Sequence, residues 1–450
     1  MVGNSLVETE QGRIEHLRSL VSECLDEARR QGASGAEAGM SVNFGLSVSV
    51  RLGDVETVEH HRSQAVGVTV YFGQRKGSAS STDLGSSALR ETVAAACRIA
   101  RYAAEDPCAG LPEPEMLARE FPNLDVYHPW DIRAEQAIEI ALSCENAARA
   151  VSPLISNSEG AQLDTFKGVR VLGNTAGFLH GMANSRHSLS CSVLGQHGES
   201  MQRDDWWTVA RAAEDLERPE DVGRKAAERT LRRLGGRSIS TRECPVIFAA
   251  DVAGGLLGHF IAAIRGGNLY RKSSFLIDCL GQTIFPPFVQ IHEQPHLKRA
   301  LGSTAYDAEG VATHARHLVR DGVLQSYVLS TYSARKLGLT TTGNAGGVHN
   351  LTIDPGDLDL PALLRRMNTG LLVTETLGQG VNIVTGDYSR GAAGFWVEGG
   401  EIQYPVEEIT IAGNLRDMFR GMLAVGNDVD FRGNTRSGSI LIDRMTVAGN

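Results

Sequence analysis

Two adjacent glycines, Gly399 and Gly400, stand between runs in which apolar residues alternate: Phe395 and Val397 before them, Ile402 and Tyr404 after. A primed two-residue turn needs positive φ at both central residues, which glycine adopts without a Cβ clash. The spacing predicts a β-hairpin about Glu398-Gly-Gly-Glu401. A glycine-bounded polar loop, Gly386-Asp-Tyr-Ser-Arg-Gly391, precedes it. It sets Asp387, Tyr388 and Arg390 at a strand end, where binding residues often sit on a rigid scaffold. These three are candidates for a peptide-binding or cavity loop, with turn and salt-bridge roles as the structural alternative. Asn344 and His349, around Ala345-Gly-Gly347, carry the same two readings.

The N-terminal region has a different pattern. Apolar residues at Ile14, Leu17, Val21, Cys24, Leu25 and Ala28 follow helical spacing, and Gly32 marks a stop. Ala38 to Val50 alternates with period two, as a half-buried strand does. Ala65–Phe72 reads as another strand and Ser86–Glu105 as an alanine-rich helix. Five of the 14 prolines lie between Pro107 and Pro129, which predicts an extended strap. A helix over Arg133–Ala150, strands near Val169–Leu172 and Ser188–Leu194, and a helix from about Glu220 to Leu234 follow. Gly235-Gly236 mark a boundary, beyond which short apolar runs and turn residues dominate. The expected fold class is α+β. Residues 1–110 and 111–236 form two small lobes, and 237–450 a β-rich, largely antiparallel domain.

With 450 residues, the chain is long for one core. A net charge of −9 argues against a nucleic-acid partner. The most basic stretch, Arg224–Arg237, is interleaved or preceded by Glu220, Asp221 and Glu228 and reads as a solvated helix face. Seven scattered cysteines without a CxxC pair point to reduced thiols in a cytoplasmic setting. The opening residues lack the basic-then-apolar pattern of a signal peptide. Val246–Ile264 approaches membrane-spanning length but contains Asp251, His259 and three glycines, so a buried segment is expected.

His292-Glu293-Gln-Pro-His296 spells HExxH. On a helix this spacing puts two imidazoles on one face to hold zinc, with the glutamate as general base. Pro295 sits inside the motif, where a helix would lose about 3 kcal/mol, and Gln294 before it is pushed off helical geometry. A chance match in an irregular exposed segment is expected. His314 and His317, near Asp307 and Glu309, read as surface residues in strand and turn. Ser333-Ala-Arg-Lys336 matches SxxK, but its companion motifs are absent.

Several blocks in order give a resemblance: His259–Leu276 (HFIAAIRGGNLYRKSSFL), Ser303–Val311 (STAYDAEGV), Asp321–Asn350 and Gly378–Asn414. The chain resembles the PmbA (TldE) family, the partner half of the TldD/TldE peptidases. The resemblance implies that a TldD-type subunit supplies zinc and the chemistry of amide hydrolysis, while this chain completes the chamber wall. It implies unfolded or ribosomally made peptides as substrates, bound in extended form. The sister subunit is known for a helical HExxxH zinc motif with a further cysteine near the C-terminus. At the corresponding place this chain has Gly254-Gly255-Leu-Leu-Gly-His259, so only His259 remains, and Gly433–Ser439 has no cysteine. One imidazole cannot hold a catalytic zinc, which takes three protein ligands. The expectation is no metal, no cofactor and no catalytic residue in this chain, with His259 a hydrogen-bonded core or interface histidine. An active zinc site through His292, Glu293 and His296, a stand-alone peptide-binding scaffold, and a homodimer of the isolated chain stand as alternatives.

Overall fold

The computed structural model describes residues 9–449; most of the opening stretch Met1–Arg13, read above for a signal-peptide pattern, lies outside them. The N-terminal half is built on one antiparallel sheet. Its strands are β1 (Gly35–Arg51), β2 (Asp54–Phe72), β3 (Arg75–Ser81), β4 (Ile155–Asn174), β5 (Leu179–His197) and β6 (Ser200–Ala210). They run in the order β3-β2-β1-β4-β5-β6. The sheet crosses the 110/111 boundary, so residues 1–110 and 111–236 share it. Two cores grow on it. Ala38 and Met40 of β1 pack beneath α1 (Glu10–Arg30) and α2 (Ser86–Tyr102). Further along the same face, Leu46, Val48 and Val50 pack beneath α3 (Ala134–Ala150) and α4 (Pro219–Arg233).

Local chemistry explains these elements. Thr9 caps α1 by accepting from the Gly12 amide, and Arg29 and Arg30 close its last turn against the helix dipole. The buried residues of α1 include all six apolar positions read from the spacing. Helices α3 and α4 cross closely: a Cβ on Gly223 would lie 1.9 Å from the Cys144 carbonyl oxygen. Only glycine fits there. Fully buried Glu145 of α3 accepts from the Leu52 and Gly53 amides at 2.7 and 2.8 Å, which fixes the β1–β2 turn.

Strand β2 is longer than the sequence suggests, reaching back from Ala65 to Asp54. The strap between α2 and α3 is extended as expected, and it ties the halves together. Its Ala118 amide donates to Gly310, and Met116 accepts from the Ala312 amide.

The C-terminal domain contains two sheets. The larger has β7 (Arg242–Phe248), β12 (Gly370–Leu377), β13 (Asp387–Glu398), β14 (Glu401–Asn414), β15 (Met422–Val425) and β17 (Ile440–Ala448). Its order is β14-β13-β12-β7-β17-β15, and β14 also pairs with β17. The smaller comprises β8 (Ile291–Glu293), β9 (Arg316–Arg320), β10 (Val323–Leu324), β11 (Leu351–Ile353) and β16 (Thr435–Arg436). Parallel pairing is confined to β7–β12 and β11–β16 among the described strands. The helices here are α5 (Ala250–Ile264), α6 (Gly266–Tyr270), α7 (Thr331–Leu337), α8 (Leu360–Met367) and α9 (Leu415–Arg420). The fold is α+β. The Gly399-Gly400 turn has φ of 61° and 79°, as the hairpin requires.

Candidate functional site

Helix α5 positions the site. Ala253, Leu256, Leu257, Phe260, Ala263 and Ile264 bury one face in the domain core. Gly254, Gly255 and Gly258 fall elsewhere on the helix. A Cβ on Gly255 or Gly258 would meet nothing within 4 Å, and one on Gly254 would make ordinary contact with Thr435 Cγ2 at 3.7 Å. Packing therefore does not require these three glycines. They leave part of the helix bare at an intrinsic cost of about 1 kcal/mol each against alanine.

His259 is half-buried on this helix. Its ring meets Tyr388 of β13 edge to face, with centroids 5.9 Å apart. Burial lowers the His259 pKa and the Arg390 charge lowers it further, so the imidazole is neutral near pH 7. The expectation is a hydrogen-bonded core or interface histidine. No hydrogen bond to its ring is found among the described residues, and an aromatic contact takes that place.

Tyr388 is 3% exposed, and burial pushes its phenol up to about 12 despite the opposing Arg390 charge. Arg390 donates to the Thr376 and Leu377 carbonyls at 3.2 and 3.4 Å and has no carboxylate partner among the described ion pairs. Strand alternation turns Asp387 to the opposite side from Tyr388. The Asp387 carboxylate accepts from Thr385 Oγ1 at 2.6 Å and Asn414 Nδ2 at 3.2 Å, which hold its pKa below the usual range.

The HExxH segment is not helical; its first half is strand, and its second half is irregular, with His296 exposed in a turn. His292 and Glu293 lie on β8, paired with β9 and β11, and Glu293 is 1% exposed. A strand directs adjacent side chains to opposite faces. His292 Nε2 meets Asp354 Oδ1 at 2.7 Å, and its ring lies 5.6 Å from that of His317. His296 Nε2 pairs with Thr313 Oγ1 at 3.2 Å.

Glu293 anchors a buried network that also takes in Asn344 and His349. It accepts from Arg316 Nε at 2.7 Å, from Asn344 Nδ2 at 3.1 and 3.0 Å, and from the His349 amide at 2.9 Å. Arg316 also donates to Asn344 Oδ1. His349 Nε2 pairs with the Gly343 carbonyl at 3.0 Å. Asn344 and His349 thus gather around Glu293. No described hydrogen bond or ring contact joins them to Tyr388 or Arg390. Sequence spacing carried no sign of this network, because its members come from separate strands and loops.

The donors present do not fit a metal centre. Gly254 and Gly255, on the same helix as His259, offer no donor, and the HExxH side chains diverge into separate partnerships. Among the described residues no group of three or more His, Cys, Asp and Glu could hold an ion.

A cleft of about 490 Å³, which sequence reasoning did not foresee, opens at the N-terminal end of α5. Trp206, Asp251, Leu372, Asp430 and Arg432 help to line it. The Arg432 guanidinium lies 3.8 Å from the Trp206 ring centroid, a cation–π contact between the N-terminal sheet and the C-terminal domain.

Comparison with known proteins places this architecture. Residues 36–100, 127–234 and 241–449 match, in order, domain 1, the central domain and the C-terminal domain of the PmbA/TldA metallopeptidases. The metalloprotease PmbA of Escherichia coli O157:H7 is 50% identical over 97% of this chain and 98% of its own. The chain belongs to the PmbA/TldD metallopeptidase family. A crystal structure described as a putative modulator of DNA gyrase from Bacteroides thetaiotaomicron superposes with TM-score 0.92 at 26% identity, covering 98% of this chain and 100% of that one. TldE from Thermococcus kodakarensis shares the fold, with TM-score 0.84 at 19% identity over 96% of this chain and 100% of that one. Among the described residues, no helix is long and apolar enough to cross a membrane.

Proposed function

We propose that this chain is the non-metal-binding partner of a TldD-type zinc peptidase and completes the wall of a shared chamber. The observation that carries the reading is the bare stretch of α5. The resemblance puts Gly254 and Gly255 where the sister subunit has a ligand and a base; a Cβ on Gly255 would meet nothing within 4 Å, and His259 is the one residue of that motif the chain keeps. The HExxH segment offers no substitute, since Glu293 is held by Arg316, Asn344 and the His349 amide.

In this reading the TldD-type subunit brings the zinc, and this chain brings surface. Neutral His259 above Tyr388, with the carboxylate-free guanidinium of Arg390 beside it, orients an extended peptide through its carbonyls and terminal carboxylate. Asp387, turned away on the same strand, keeps the loop in shape. Backbone reading suits unfolded or ribosomally made peptides of varied sequence. The cysteines at 24, 97, 108, 144, 191, 244 and 279 are free thiols, six of them buried, which suits a reducing cytoplasm.

The test is co-expression with a TldD-type protein, followed by pull-down, zinc analysis and cleavage of an unfolded peptide. The reading requires a stable mixed complex with zinc bound by the partner. Stoichiometric zinc in the isolated chain, lost in His292→Ala, would establish the rival reading of an autonomous peptidase.

A further inference from the structure

The two helix layers on the N-terminal sheet leave a gap between them. Ala38 and Met40 lie beneath α1 and α2, and Leu46, Val48 and Val50 beneath α3 and α4. Phe44 falls between the two cores and is half-buried. Residues directly opposite one another on paired strands share a face. The register therefore sets Phe44, Arg62 and Lys167 in one row of this face and Leu46, Thr165 and His187 in the next. With the end of the strap, Trp130 and Asp131, these rows form a pocket of about 180 Å³. None of its lining residues belongs to the C-terminal domain.

His187 is its most buried polar group, 1% exposed. Its Nε2 lies 2.9 Å from the His128 carbonyl oxygen, which can only accept, so Nε2 carries the proton. Burial lowers the His187 pKa and keeps the ring neutral. Nδ1 is then a lone pair, and this buried atom has no hydrogen-bond partner. Buried acceptors are normally paired, so the position calls for a donor.

The walls are flat and apolar. Trp130 meets the His187 ring edge-on, with centroids 5.5 Å apart, and Leu46 is buried beside them. The rim is cationic. Arg13 and Arg62 lie 4.9 and 5.7 Å from the Phe44 ring centroid, and neither has an ion pair among the described residues. Lys167 joins them, paired with the exposed Asp131. Lys167 stands one strand over and two residues along from His187, roughly 8 Å away by the spacing of a sheet.

These features select the occupant. A carboxylate against His187 would set lone pair against lone pair. An ammonium would meet the arginines, and Asp131 is already held by Lys167. A neutral hydroxyl donates to Nδ1 at no such cost. A flat ring then fits beside Trp130 and Leu46, and an acid group on a short arm reaches the rim.

We propose that this pocket binds a small aromatic hydroxy acid, its phenol donating to His187 Nδ1 and its carboxylate held by Lys167 and Arg62. The proposal does not rest on the peptidase reading.

The test is a ligand-observed NMR titration of the full-length chain with 4-hydroxyphenylacetate, phenylacetate and 4-methylphenol. The hydroxy acid is expected to bind, and phenylacetate to bind at least about tenfold more weakly, because it leaves the buried acceptor unpaired. The same loss is expected for 4-methylphenol, which has no carboxylate. Lys167→Met, at the rim, is expected to weaken the hydroxy acid several-fold and leave 4-methylphenol unchanged. His187→Phe, with folding confirmed by circular dichroism, is expected to bind the hydroxy acid and phenylacetate alike. No saturable binding of 4-hydroxyphenylacetate to wild type would overturn the proposal and leave the pocket to solvent. Equal wild-type affinities for the hydroxy acid and phenylacetate, or an affinity indifferent to Lys167→Met, would overturn it as well.

Discussion

The His259 imidazole meets the Tyr388 ring edge-on at 5.9 Å, and burial, helped by the charge of Arg390 two residues on from Tyr388, depresses the histidine's pKa. A helix and a strand thus place a neutral base, a buried phenol and a guanidinium without a carboxylate partner near the bare stretch of α5. Replacing His259 with alanine is expected to lower peptide cleavage by the mixed complex about tenfold, roughly 1.4 kcal/mol of transition-state stabilisation. The zinc content of the complex is expected to stay unchanged. Steady-state rates and metal analysis on the same preparation check this, and loss of zinc would contradict it.

The same pair predicts a pH effect. The folded His259 pKa lies below its unfolded value, so as pH falls the unfolded chain binds this proton first. Its contribution to stability is present above the unfolded pKa, near 6.5. It is lost as pH falls through the lower folded value. His259→Gln is therefore expected to lose less stability than wild type between pH 7.5 and pH 5.5. Urea denaturation at both pH values gives the comparison; an unchanged pH slope would speak against a depressed pKa.

Asp307 has the opposite sign. Burial raises its carboxyl pKa to about 7, and amides from Glu309, Val311 and Ala345 only partly offset this. The folded chain holds the proton that the unfolded chain releases near pH 4, so the contribution falls as pH rises towards 7. Asp307→Asn turns an amide NH2 group towards at least one of those donors and is expected to cost about 1–3 kcal/mol. The gap to wild type should be wider at pH 5 than at pH 8, and an equal gap at both would rule out the raised pKa.

Much of the fold was legible because local rules agree with the global structure. Gly399-Gly400 can form a primed turn in almost any context, and the period-two run from Ala38 to Val50 admits one buried face. Strand β2 shows where this ends. Its first ten residues are mostly charged and polar and lie outside the strand read at Ala65–Phe72, and their extended state comes from pairing with β1. Strand β8 is three residues long beside prolines, and its neighbours β9 and β11 make it a strand. The contact of His259 with Tyr388, and the gathering of Arg316, Asn344 and His349 around Glu293, are tertiary and leave no spacing to detect.

That network predicts a large structural effect. Glu293→Ala would leave the largely buried Arg316 guanidinium without its carboxylate. Breaking a buried pair from one side costs roughly 3–5 kcal/mol. Thermal unfolding should show a loss of that order. His292→Ala removes a partially exposed contact to Asp354 and should cost far less. Equal losses for the two would contradict the division of this motif into a buried anchor and a peripheral pair.

The bare stretch of α5 gives a prediction in the other direction. Gly255→Ala and Gly258→Ala meet no atom within 4 Å and should each stabilise the isolated chain by up to about 1 kcal/mol. If this stretch lines the shared chamber, the more stable variants should support slower cleavage in the mixed complex. A rise in melting temperature with undiminished activity would remove α5 from the chamber wall.

Zinc content and peptide cleavage, measured in parallel for the chain alone and mixed with a TldD-type protein, test the central claim most directly. The account predicts a metal-free, inactive chain alone and a zinc-bearing, active mixture. One zinc per isolated chain, with cleavage that a chelator abolishes, would contradict it.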